Sequence, residues 1–397
     1  MNILLLAPQP FYQHRGTPIA VKLLTEVLAK NGHRIDILTY NEGQGIDIPN
    51  VSIHRIPKIP GVNHVMPGPS WEKLVCDMFL FTKCLAMLRK KRFDMVHAVE
   101  ESAFMATLIK SLFRIPFVYD MDSSFARQMI EKYSGLQPAK VLLEKLERLA
   151  IKKSIGVVAV CKYLENIVHE CEPYKTLVRL EDISLLADST QKGESLKENL
   201  KINNPIIMYV GNLEKYQGID LLLESFQLVA AQSRTGNLVI IGGNVADINT
   251  YRNRSRRLGI DKRTYFIGPK PTTQLASYLE QADILVSPRI KGGNTPMKIY
   301  SYLDSGKPVL ATRLPTHTQV LDDKIAILTM PEPEAMAQGF IALITDKRRG
   351  SMIAKMAKEK VRSEYSREAF EKKLLAFYKN LEKMILVGKL DRWGGTI

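Results

Sequence analysis

Cysteine is scarce in this chain: four residues in 397, namely Cys76, Cys84, Cys161 and Cys171. They form no Cys-x-x-Cys pair and have no histidine at zinc spacing, which argues against a structural zinc site. A chain of this length does not need a disulfide framework, so a reducing, cytoplasmic setting is expected. Long hydrophobic runs are missing too. No stretch approaches the ~20 apolar residues of a spanning helix. Met1 to Ala7 passes straight into a strand pattern, so no signal peptide is expected. Neither Gly-x-Gly-x-x-Gly nor a Walker lysine loop occurs, so neither a dinucleotide nor an NTPase site is indicated. There is also no recognised nucleic-acid module and no stripe of aromatics interleaved with Lys and Arg. A basic nucleic-acid-binding protein is therefore the weakest reading of the composition.

What the chain has in excess is positive charge. Its 56 Lys and Arg against 41 Asp and Glu give a net +15. Such a balance favours anionic partners: nucleic acid, an acidic membrane surface or phosphorylated small molecules. Residues 188–397 carry +10 of it and residues 1–187 only +5.

Apolar strand patterns alternate with helical ones, as in doubly wound α/β folds. Residues 2–7 form a nearly all-apolar run, as a buried parallel strand does. A Pro/Gly-rich loop follows, then a helix over 17–30 that stops at Gly32. Further strands are expected at 34–40, 51–56, 95–98, 117–121 and 156–160. Residues 188–199 are rich in Ser, Lys, Glu and Gly and read as a linker. Strands then resume at 206–210, 238–241, 265–267, 284–286, 309–311 and 325–328, with helices at 219–231, 332–345, 349–361 and 367–385. The fold class is α/β, with two Rossmann-like domains facing each other across a cleft. The expected boundaries are 1–187, a linker at 188–200, a second domain at 201–365 and a C-terminal helix within 366–397. Ligands of such sheets bind beyond the C-terminal strand ends.

Three strand-end loops carry candidate chemistry. Arg15-Gly16-Thr17 opens the first helix, where Gly16 lets backbone N–H groups approach an anion. Thr17 has two readings, ligand contact or helix N-cap. The loop from Gly211 to Gly218 includes Asn212, Lys215 and Gln217. The loop Pro288-Arg289-Ile290-Lys291-Gly292-Gly293-Asn294-Thr295-Pro296-Met297-Lys298 combines glycines, a helix start and three basic side chains. That combination suits a diphosphate.

These features together resemble the GT-B glycosyltransferases, specifically the large retaining family four (group 1). The features are the two wound domains, the Gly-Thr loop, the strand-loop-helix around Gly211 to Gly218 and the run from Thr295 to Thr312. The resemblance covers essentially the whole chain. It implies that the second domain binds a nucleotide-sugar, that the first binds the acceptor, and that the last helix crosses back to the first. The family's second-domain loop reads Gly-Arg-Leu-x-x-x-Lys-Gly. Here those Arg and Lys positions are Asn212 and Gln217, and Lys215, Arg289, Lys291 and Lys298 are the nearby cations that would replace them. The family's paired glutamates fall on Gly293 and Ser301, where a serine hydroxyl would face the donor ribose. With Gly218, Asn294 and Thr295 these complete the expected donor site.

In the first domain, His97 matches the first histidine of the family's Asp-x-x-His-x-His strand end. It is either a catalytic or acceptor contact or a capped core histidine. Asp120 and Asp122 end another strand at the same edge and would orient an acceptor hydroxyl, or Asp122 or Ser123 would cap the next helix. No metal or other cofactor is expected, because the basic loops make a divalent ion at Asp120-Met121-Asp122 unnecessary. Residues 71–92 read either as an interfacial helix or as a helix packed on its sheet with a basic last turn. The resemblance thus implies a hexosyltransferase using a nucleoside-diphosphate sugar and a glycan or lipid-linked acceptor. Its setting would be envelope polysaccharide or lipopolysaccharide synthesis, peripheral to the inner membrane face. A sugar-nucleotide epimerase or an inactive relative of the same fold is the alternative.

Overall fold

The computed structural model describes residues 1–13, 16–62, 65, 68, 70–232 and 236–392. Arg15, named above, lies outside them. The chain divides into two compact units, residues 1–181 with 370–397, and residues 182–369.

The first unit is a seven-stranded parallel sheet. Its strands are β1 (Asn2–Ala7), β2 (Arg34–Thr39), β3 (Val51–Arg55), β4 (Met95–Val99), β5 (Phe117–Met121), β6 (Gly156–Ala159) and β7 (Leu177–Arg179). They are ordered β3-β2-β1-β4-β5-β6-β7. Strands buried on both faces need mostly apolar side chains, and β1 has an unbroken run from Ile3 to Ala7, while β4 and β5 are apolar apart from His97 and Asp120. Leu4 and Leu6 share a core with Cys76, Leu80, Cys84 and Leu88 of the helix Trp71–Lys90. That four-residue spacing is one helical stripe. Strand β7 was not expected from the sequence, because it is only three residues long and none of them is fully buried.

The last helix, Arg367–Arg392, buries Phe370, Leu374, Phe377, Tyr378 and Leu381. Gly156 at the start of β6 makes room for it: a Cβ there would lie 2.8 Å from the Phe377 ring and 3.0 Å from Leu381. Lys373 also meets Glu181 at 2.8 Å. These contacts are why residues 370 onward fold with the first unit.

The second unit has six parallel strands: β8 (Ile206–Val210), β9 (Asn237–Ile241), β10 (Thr264–Gly268), β11 (Ile284–Ser287), β12 (Val309–Thr312) and β13 (Ile327–Thr329). Their order is β10-β9-β8-β11-β12-β13. Alternate residues of β8 enter opposite cores, Ile206 and Met208 on one face and Ile207 and Tyr209 on the other. The stretch expected as a linker is fastened to this unit. The Gln191 N–H donates to the Thr273 carbonyl at 2.9 Å, the Gly193 N–H to Ser277 Oγ at 2.9 Å and the Leu196 N–H to Gln281 Oε1 at 2.7 Å. Polar composition there serves hydrogen bonding rather than mobility, and the unit begins at Asp182.

In each sheet the winding reverses beside the first strand of the unit, between β1 and β4 and between β8 and β11. Loops at the C-terminal ends of those strands are where doubly wound folds hold ligands.

Candidate functional site

In the second unit, the loops after β8 and β11 come together. Gly218 has φ +76°, and a Cβ on it would run into the Pro288 carbonyl oxygen, so only glycine permits this approach. The Ile290 N–H donates to the Tyr216 carbonyl at 3.0 Å, tying one loop to the other.

Two cations sit inside this double loop. The Arg289 guanidinium stacks on Tyr216 at 5.0 Å and donates to the Asn294 carbonyl at 2.8 Å and to Thr316 Oγ1 at 3.0 Å. Its Nε is buried without a hydrogen-bond partner among the described residues. The Lys298 ammonium lies 3.9 Å from the Tyr209 ring centroid and donates to Gln217 Oε1 at 3.2 Å. It also lies 2.7 Å from where a Cβ on Gly211 would be, so that glycine keeps its space open. Burial, with repulsion from Arg289, pulls the Lys298 ammonium well below the usual lysine value. Burial likewise lowers Arg289. Among the described residues neither cation forms an ion pair with a carboxylate. Two desolvated positive charges without a counter-charge are costly, and an arriving anion removes that cost.

The remaining candidates divide into exposed groups and built-in struts. Asn212 and Lys215 are exposed at the loop surface. Gln217 is buried and accepts from both Lys298 and the Tyr209 hydroxyl, so it is a strut beneath the loop. The Gly293 carbonyl accepts from Gln319 Nε2 at 2.9 Å. The Asn294 carbonyl accepts from Arg289 and Thr316. Thr295 is buried, and its hydroxyl has no hydrogen-bond partner. Ser301 differs from expectation. It is buried, and its Oγ accepts the Leu185 N–H at 3.0 Å, so it secures the start of the unit instead of facing a ribose.

The sequence reading missed Tyr209, Tyr216, Thr316 and His317. The last two lie in the short helix Pro315–Thr318 that follows β12. A Pro-Thr-His-Thr run just past a strand at the ligand edge was the available signal.

In the first unit, His97 is fully buried in β4. Its Nε2 lies 2.9 Å from Asp120 Oδ2 and its Nδ1 lies 2.7 Å from the Tyr378 hydroxyl. A carboxylate only accepts, so Nε2 carries the proton and Nδ1 accepts from the tyrosine. Burial, with the Asp120 charge, raises the Tyr378 phenol well above its usual value, which keeps it a donor. Both ring nitrogens are engaged, so His97 anchors Asp120 and is not presented to an acceptor. Asp120 is the penultimate residue of β5 and Asp122 lies just past the strand, partly buried. Gly16 is exposed at the start of the helix Gly16–Lys30, with open space where a Cβ would be. Thr17 is the second residue of that helix, so it is not the N-cap.

Two Rossmann-like halves, each built on a parallel sheet, with a cationic loop pair at the switch point of the second, are the architecture of GT-B glycosyltransferases. The family models agree along the chain. Residues 15–178 match Glycosyltransferase Family 4 and residues 191–360 match Glycosyl transferases group 1. The protein belongs to the group 1 GT-B glycosyltransferases and is an enzyme of that class. It is 24% identical over 394 residues to an uncharacterized glycosyltransferase of Methanocaldococcus jannaschii, covering 93% of this chain and 95% of that one. It is 24% identical over 314 residues to the D-inositol 3-phosphate glycosyltransferase of Corynebacterium glutamicum, covering 72% of each chain. Among solved structures, sucrose-phosphate synthase of Thermosynechococcus elongatus superposes with a TM-score of 0.77 at 17% identity, covering 96% of this chain and 99% of that one. HepE of Anabaena in complex with UDP-glucose superposes with a TM-score of 0.73 at 14% identity, covering 96% of this chain and 100% of that one.

Proposed function

We propose that the protein moves a hexosyl unit, with retention of configuration, from a nucleoside-diphosphate sugar to a glycan or lipid-linked acceptor in cell-envelope synthesis. The observation that carries this reading is the Arg289–Lys298 pair, two desolvated cations with no carboxylate partner at the β8/β11 switch point. The UDP-glucose complex of the Anabaena structure supports the same donor class.

The donor diphosphate takes the place of the missing counter-charge. An arriving anion offsets the burial and the Arg289 repulsion that disfavour the Lys298 ammonium. Arg289 supplies an N–H that has no partner among the described residues. The exposed Lys215 reaches the diphosphate from the loop surface. As the glycosidic bond breaks, negative charge grows on the leaving diphosphate, and donors already fixed by Tyr209, Tyr216 and Gln217 stabilise it without reorganising. Asp120, held by His97 and Tyr378, and Asp122 orient the acceptor hydroxyl. The basic excess supports peripheral placement on an anionic membrane surface.

A thermal-shift screen with nucleotides and nucleotide-sugars tests this. A diphosphate-sugar at a hundredfold excess over its Kd stabilises by about 2.7 kcal/mol, which is readily visible. Silence from every nucleotide-sugar, with tight binding of RNA or DNA, would overturn the reading. Conversion of the donor to its epimer without any acceptor would assign the chain to sugar-nucleotide epimerases instead.

A further inference from the structure

The first unit contains a concave site that the donor chemistry does not use. A cavity of about 390 Å³ opens among the helices Trp71–Lys90, Ser102–Phe113 and Phe125–Lys132. Its volume lies within the range of small-molecule sites, roughly 300–1,000 Å³. The walls are Trp71, Leu74, Phe104, Met105, Phe125 and Met129. Phe104 and Phe125 meet edge to face at 5.1 Å. Trp71 and Leu74 are 63% and 64% exposed, unusual for such large apolar side chains, and they stand at the mouth.

The floor is different in kind. Lys73 Nζ lies 2.6 Å from Glu101 Oε1 and 3.5 Å from Glu100. The Tyr40 hydroxyl donates to Asp77 Oδ1 at 2.6 Å. Two carboxylates therefore share one ammonium while the third carboxyl is held by the tyrosine, and burial holds the Asp77 and Glu101 carboxyls above the usual range. Lys73 is the only cation among the described residues lining the cavity, and carboxylates already hold it, so the lining leaves none for a phosphate. Carboxyl groups at the end of an aromatic and aliphatic channel suit neutral hydroxyls, with a sugar's C–H face or an alkyl chain along the walls.

We infer that this cavity binds the acceptor, and that the acceptor is a neutral glycoside with an apolar aglycone. Its hydroxyls meet Glu101 and Asp77, and its aglycone passes out over Trp71 and Leu74. The inference rests on the reading that the protein glycosylates an acceptor held by the first unit.

Trp71 is one of two tryptophans, so Trp393→Phe makes it the only reporter in the full-length protein. Octyl glucoside below its micelle concentration, glucose and octyl phosphate are each titrated against its emission. The glucoside should give a saturable blue shift, with glucose and octyl phosphate at least about tenfold weaker, equivalent to ~1.4 kcal/mol. Glu101→Gln should weaken the glucoside about tenfold by removing a carboxyl oxygen that meets its hydroxyls. Leu74→Ser, at an exposed position, should weaken it without affecting folding. Octyl phosphate binding as tightly as the glucoside would overturn the inference. So would emission that responds to anionic phosphatidylglycerol vesicles and not to the monomeric glucoside, because the surface would then be a membrane face. Donor-induced thermal shifts in the same variants keep the two readings apart. A retained donor shift with no glucoside binding rejects the cavity alone, and glucoside binding with no donor shift rejects the donor reading alone.

Discussion

His317 gives the second unit a built-in sensitivity to acid. The ring is fully buried, its Nδ1 lies 2.9 Å from the Thr312 carbonyl and its Nε2 lies 2.9 Å from Ser287 Oγ. Nδ1–H donates to the carbonyl and Nε2 accepts from the serine, an arrangement that needs the neutral imidazole. Desolvation, aided by Arg289 and Lys298, pulls its pKa from 6.5 to about 3 against the raising effect of the Thr312 hydrogen bond. A depressed histidine pKa means that the unfolded chain takes up the proton first as pH falls. Stability is therefore complete above about pH 6.5 and drains away toward pH 3. Each pH unit in that window removes up to ~1.4 kcal/mol, so about 2 kcal/mol is lost by pH 5. The assay is urea unfolding of the second unit, in wild type and His317→Gln, at about pH 7.5 and about pH 5, conditions that bracket the upper part of this window. The raised carboxyls of Asp77 and Glu101 act with the opposite sign, but both proteins share them and they cancel in the comparison. The stability advantage of wild type over the variant should shrink by about 2 kcal/mol on going to the lower pH. An advantage equal at both pH values would refute the claim that the fold keeps this ring neutral.

Two other substitutions probe the joints of the fold. Tyr378→Phe retains the packing of the last helix but leaves His97 Nδ1 buried without its donor, so the first unit should lose about 1–3 kcal/mol in urea unfolding. A loss below about 0.5 kcal/mol, the size of an ordinary surface change, would mean that the Tyr378–His97–Asp120 chain is not formed. Gly218→Ala adds a Cβ at φ +76° directly on the Pro288 carbonyl. It should cost at least about 1 kcal/mol of stability and weaken donor binding together, because the two loops can no longer meet. Circular dichroism melts and nucleotide titration of the same variant check both effects.

Much of this architecture was legible in the sequence because buried parallel strands are written as largely apolar runs. Residues 2–7, 117–121 and 206–210 were expected as strands and are β1, β5 and β8. Gly32 stops the first helix with φ +86°, as a glycine past a helix end does. What escaped was anything decided by distant partners. His97 and Tyr378 are 281 residues apart, and nothing local says that a strand-end histidine will be sealed by the last helix. Ser301 looks like a ligand contact until the Leu185 amide is placed against it. The polar stretch before residue 200 looks free until Thr273, Ser277 and Gln281 supply its hydrogen-bond partners. Charge was legible as an excess and not as a location. The cations at the centre of the second-unit loops are Arg289 and Lys298, while Lys215 remains on the surface.

The most direct test of the account is the affinity of the best-responding nucleoside diphosphate for wild type, Lys215→Ala, Arg289→Ala and Lys298→Met, measured by titration calorimetry. Loss of a desolvated cation facing the diphosphate should cost about 2–4 kcal/mol, a weakening of roughly 30- to 1,000-fold, for Arg289→Ala and Lys298→Met. The exposed Lys215→Ala should cost about 0.2–1 kcal/mol, less than about sixfold. Unchanged affinity in both Arg289→Ala and Lys298→Met, with the variants folded, would contradict the placement of the donor diphosphate at the β8/β11 switch point.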